Sequence, residues 1–122
     1  MAFNELVYVL PLAERMASTT SPNQSGAGFK GVKLHMYVEA IPSGTLGLNL
    51  SGVERYSNQE YYLLSSSPIA ASGVYTLTVY PGVTAQNNVA LSTVIPFDWR
   101  VVVTHTPSNL IAKYAVSASL YE

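Results

Sequence analysis

The sequence predicts an all-β fold: a single antiparallel β-sandwich, jelly-roll or immunoglobulin-like, of about seven or eight short strands with an N-terminal arm. Three observations carry this. Apolar and polar residues alternate with a period of two along most of the chain. Pro42, Pro68, Pro81, Pro96 and Pro107 each fall between apolar runs, where a missing N–H breaks no central ladder bond. Helical periodicity is nearly absent, and the one candidate, Leu12 to Ala17, is too short to hold a helix without packing. At 122 residues the chain has the size of one domain, which divides into an arm or first strand (1–17), a polar loop (18–30) and the sandwich (31–122).

The elements follow in order. Residues 2–12 are apolar and almost uncharged, and they admit two readings: the first strand of the domain, or an extended arm that docks onto a neighbour. The segment from Ser18 to Gly28 is rich in Ser, Thr, Gly, Asn and Gln and reads as a loop or mobile connection. From Val32 the pattern is regular, with Val32, Leu34, Met36, Val38 and Ala40 on one face and Lys33, His35, Tyr37 and Glu39 on the other. Leu46, Leu48 and Leu50 repeat it. Tyr56 to Gln59 suits a hairpin loop before the short run from Glu60 to Leu64. Of the adjacent Tyr61 and Tyr62, one is expected to point inward. Tyr75, Leu77 and Val79 form a further buried face, Trp99, Val101 and Val103 another, and Tyr114, Val116, Ala118 and Leu120 the last. Arg100 alternates away from Trp99 and is placed to pair with a carboxylate across the sheet.

Composition excludes several function classes. Cysteine is absent, which removes disulfides, thiolate metal sites and a cysteine nucleophile. A net charge of −1 with six Lys and Arg gives no basic footprint for nucleic acid. No apolar stretch approaches the ~20 residues that a membrane helix needs. The two histidines, His35 and His105, have no partners at chelating spacing, so neither a metal nor a cofactor is expected. Gly26, Gly28 and Gly31 spell a G-x-G-x-x-G, but the motif opens a strand rather than a helix, which is the wrong context for a dinucleotide. The acids are scattered, and no serine sits in a nucleophile elbow, so no catalytic residue is assigned and an enzyme is not expected. The tyrosines supply an alternative, a stacking platform for sugar rings on a β-sandwich. Only 11% of residues are charged, a low share that points to a surface covered in the working state.

Two stretches, Ser72 to Val89 and Val94 to His105, with the ending Tyr114 to Leu120, resemble the small β-sandwich structural proteins of tailed bacteriophages and prophages. The resemblance covers about two-thirds of the chain and carries no catalytic signature. It implies a virion component, most of all a head-decoration (cement) protein that sits on the outer lattice of the major capsid protein, as a homo-oligomer of trimeric type. A tail, neck or host-attachment component is the runner-up. On this reading Phe3, Leu6, Val7, Tyr8 and Val9 in the arm, with Tyr56 and Asn58 at a hairpin tip, are the candidate contacts to the capsid or to other copies.

Overall fold

The computed structural model describes residues 5–122, and these form two β-sheets face to face with no helix. Seven strands have six residues or more: β1 (Glu5–Arg15), β4 (Gly31–Ala40), β5 (Thr45–Val53), β6 (Glu60–Ser65), β7 (Gly73–Val79), β9 (Asp98–Thr106) and β10 (Ala112–Tyr121). Three two-residue strands complete the set: β2 (Thr19–Thr20), β3 (Gln24–Ser25) and β8 (Ala90–Leu91). The first sheet has the order β1-β10-β4-β7-β8, and the second β2-β9-β5-β6 with β3 also on β9. With β2 and β3 taken as one interrupted strand and β8 set aside, this is the strand order of a jelly roll.

The alternating residues build the core. Val32, Leu34, Met36 and Val38 from β4 meet Leu46, Leu48 and Leu50 from β5, Trp99, Val101 and Val103 from β9, and Tyr114, Val116 and Ala118 from β10, all buried. Ala40, at the end of its run, lies in the open. Arg100 projects from the outer side of β9 and holds Glu60 of β6 at 2.8 Å, across the intervening β5.

One open choice is decided and three local expectations are corrected. The arm is the first strand of the sheet: β1 pairs with β10 from Glu5↔Leu120 to Arg15↔Ala112, and that pairing outweighs the marginal helix of residues 12–17. The polar segment is bound along β9 rather than mobile. Its hydroxyls stand in for main-chain groups: the Val101 N–H donates to Ser21 Oγ (2.9 Å) and the His105 N–H to Ser18 Oγ (2.9 Å), while Ser21 N–H donates to Val101 O (2.8 Å). The sandwich is not wholly antiparallel. β8 runs parallel to β7, because the chain reverses at Pro81–Gly82 and again at Asn87–Asn88, where Asn88 has φ of 63°. Finally, Tyr61 and Tyr62 are both about half exposed. A register shift between Leu50 and Ser51 leaves Leu63 as the extra residue of β6, so Leu63 and Leu64 take the core contacts.

Candidate functional site

Parity along β1 divides the arm into two roles. Val9 and Leu10 are buried, and Val7 is half-buried against the same core, so these residues close the sandwich. Leu6 and Tyr8 alternate outward and are 54% and 78% exposed. Phe3 lies outside the described residues. The expected contacts of the arm therefore reduce to Leu6 and Tyr8 as exposed side chains, with Val7 offering partial access and Val9 only its main chain.

β1 also ends its sheet, so one side of its main chain is unpaired among the described residues. Its C-terminal half is irregular, with the pairing to β10 shifting between Leu10 and Ala13. Pro11 has no N–H, and the Arg15 guanidinium donates to Pro11 O (2.6 Å), Ala13 O (3.2 Å) and Tyr114 O (2.7 Å) while covering the Tyr114 ring at 4.8 Å. The stretch from Glu5 to Tyr8 pairs regularly with β10 and contains no proline.

The edge continues into a neutral outer face. In register, Tyr8 lies beside Ser117, then His35 and Thr76; a neighbouring row runs from Ala115 through Tyr37 to Val74. Tyr8, Pro11, Leu12, His35, Tyr37 and Val74 help line a shallow groove of about 260 Å³. Tyr37 is 45% and Val74 66% exposed. Charge is kept to the two ends of the face: Lys33 lies at one, and at the other Lys113 bonds Glu39 at 2.8 Å, a contact that raises the Lys113 pKa. His35, on the floor of the groove, is shifted below its ordinary pKa by burial and by the nearby Lys33, which favours the neutral ring. Sequence reasoning passed over Leu12 and Val74 as site residues, and took Tyr37 only as one of the tyrosines for sugar stacking. Their signal was apolar side chains in the solvent phase of otherwise regular strands.

The remaining candidates, Tyr56 and Asn58, sit elsewhere. They occupy the β5–β6 hairpin, at the edge of the second sheet opposite β2, so the structure does not join them to the β1 edge. The tip is braced from within. The Glu54 carboxylate accepts from the Tyr56 N–H (2.7 Å) and the Ser57 N–H (3.2 Å), and the Asn58 N–H donates to Glu54 O (2.8 Å). Asn58 takes the left-handed conformation with φ of 58°, which Asn tolerates better than most residues. Tyr56 is 99% exposed on this rigid support. Beside it Arg55 bonds Asp98 at 2.8 Å and lies over the exposed Phe97 ring at 5.4 Å.

Among the described residues no three His, Asp or Glu side chains converge as a metal site. His105 is bound in the core: its Nδ1–H donates to Leu110 O (2.7 Å) and its Nε2 accepts from the Tyr114 hydroxyl (2.8 Å). The glycines of the G-x-G-x-x-G answer to sterics. A Cβ on Gly26 would strike Pro96 O, and one on Gly31 would strike Val79 O. Trp99 is wholly buried, and of the exposed tyrosines only Tyr8 and Tyr37 share a groove, while Tyr61 lies over Gly52 and Tyr62 on the opposite side of β6. They form no common stacking plane. The site as built offers main-chain pairing and neutral apolar contact. The chain matches no family model and no curated protein.

Proposed function

We propose that this chain is a structural virion protein of a tailed bacteriophage, a decoration protein that seats on the outer head lattice and bridges neighbouring capsid subunits. The observation that carries the reading is the open apolar edge of β1, continuous with a sheet face whose groove is lined without charged residues, on a chain with only 11% charged residues. Such a surface is suited to being covered by protein, because edge pairing and apolar burial need no charge. The jelly-roll order adds support of a weaker kind, since capsid proteins use it, but so do lectins and other domains. The action is passive. A protein that binds the mature lattice more tightly than other states stabilises it in proportion to that difference in affinity.

Quantitative mass spectrometry of purified particles tests this against the major capsid protein. Copy numbers comparable to the capsid subunit are expected. A handful of copies per particle would move the protein to the neck, tail or attachment apparatus, and absence from particles would reject the virion reading.

A further inference from the structure

We propose that β1 is a self-pairing edge, and that two copies of this chain join by antiparallel β1–β1 pairing about a two-fold axis at Val7. Such pairing is a property of the isolated protein in solution and does not depend on the virion reading.

The edges of the two sheets differ in how they are closed. β8, β2 and β3 have two residues each, too short to template a partner strand. β6 is only six residues long, and its last, Ser65, has its carbonyl engaged by Asn88 Nδ2 (2.9 Å). Among the described edge strands β1 is the longest, at 11 residues, and its apolar first half, from Glu5 to Tyr8, is regular and precedes the register shifts and Pro11.

Register and charge select the partner. The pairing of β1 with β10 is regular up to Tyr8 and shifts between Tyr8 and Leu10. A strand added outside β1 therefore finds regular backbone over Glu5 to Tyr8, with Leu6 and Tyr8 outward and Val7 between them. A two-fold at Val7 sets Leu6 of each copy opposite Tyr8 of the other, on the outer face, so both exposed side chains gain an apolar neighbour. It also sets Glu5 opposite Val9. A parallel in-register arrangement would instead stack Glu5 on Glu5, and like charges side by side disfavour it. The strand is thus complementary to its own reversed copy, which is the condition for a closed two-fold interface. The outcome is one sheet that runs through both molecules, with the neutral groove faces on the same side.

Sedimentation equilibrium of the full chain over a wide concentration range tests the proposal. Dimers are expected, and Leu6→Lys with Tyr8→Lys should weaken association at least about tenfold, which corresponds to ~1.4 kcal/mol. Trp99 emission checks that the variant is folded. Because the chain has no cysteine, single cysteines report register whether or not the lysine variant folds. Val7→Cys should form a disulfide-linked dimer under mild oxidation, while Leu12→Cys, off the seam, should not. A monomer at all concentrations, a trimer, or an oligomer that neither links through Cys at position 7 nor responds to the lysines would overturn the proposal.

Discussion

Tyr114→Phe is the sharpest test of how the two sheets are fastened to each other through the core. Tyr114 is wholly buried, and its hydroxyl donates to Nε2 of His105, whose other nitrogen is committed to Leu110 O. Burial raises the phenol pKa, against smaller opposing effects of Thr19 and Arg15, so the hydroxyl stays protonated and able to donate. The substitution keeps the ring, the Arg15 contact over it and the Arg15 bond to the Tyr114 carbonyl. It removes one donor and leaves a buried ring nitrogen without a partner. Such an orphan costs ~1–3 kcal/mol. A chain of this length loses about 4 °C of Tm per kcal/mol, so a drop of roughly 4–12 °C is expected. Thermal and urea unfolding followed by Trp99 fluorescence are suitable, because that indole is wholly buried in the native state. The midpoint should fall without a change in urea slope. In a His105→Leu background the acceptor is gone, and Tyr114→Phe should cost much less. A shift under about 2 °C, or an equal cost in both backgrounds, would refute the reasoning.

Three further outcomes are expected. Asn58→Gly should be close to neutral in urea unfolding, whereas Asn58→Val should cost ~1–2 kcal/mol, since φ of 58° puts a β-branched side chain in collision with its own backbone; equal effects would remove the left-handed turn from the account. Gly31→Ala should cost ~1–3 kcal/mol, because its Cβ would meet the Val79 carbonyl and lie 2.9 Å from Tyr80 Cα. Gly28→Ala, which meets nothing within 4 Å, should lose only the left-handed penalty of about 1 kcal/mol, and the reverse order would be wrong for this geometry. Arg55→Ala should raise the titration midpoint of Asp98 in an NMR pH series, because hydrogen bonds from Arg55 hold that carboxyl below its usual range. A depressed folded pKa stabilises fully above the unfolded value of about 3.9 and is lost as pH falls through the folded one, so the effect belongs to the acid limb. Stability at neutral pH should hardly change, as befits an exposed pair, and an unmoved Asp98 midpoint would count against the link.

The core strands were legible in the sequence for a physical reason. Where one face is buried and the other wet, as in β4 and β10, side-chain parity writes itself into the residue types, and the faces assigned to Val32–Val38 and to Tyr114–Leu120 agree with burial. Where pairing uses the main chain and hydroxyls, parity leaves no trace. Ser18, Ser21, Gln24 and Ser25 complete the edge of β9 with a composition that reads as loop. The shift at Leu63 misled for another reason: the expectation that one of two adjacent tyrosines points inward assumes an unbroken strand, and one extra residue broke it and left both half exposed. The candidate site was legible only in part. The arm reads as uniformly apolar, whereas β-pairing to β10 splits it into inward Val7 and Val9 and outward Leu6 and Tyr8. Tyr37 and Val74 become a surface only once β4, β7 and β10 lie side by side, an arrangement set by long-range pairing rather than by local sequence.

That split also decides how the edge has to be probed. Removing residues 2–12 would seem the direct way to ask whether the arm makes contacts, but the deletion takes Val9 and Leu10 out of the core, where they are 3% and 6% exposed. Two such side chains are worth ~3–6 kcal/mol of burial, against a total stability for a domain of about 5–15 kcal/mol. The truncated chain would also leave much of β10 as a new open edge, with Val116 to Leu120 unpaired on one side. Loss of binding after that deletion would report unfolding or aggregation as readily as a lost contact. Leu6 and Tyr8 do not carry that ambiguity. They share the strand with Val7 and Val9 but face the opposite side, so a charge at either position alters what a partner meets and leaves the core untouched.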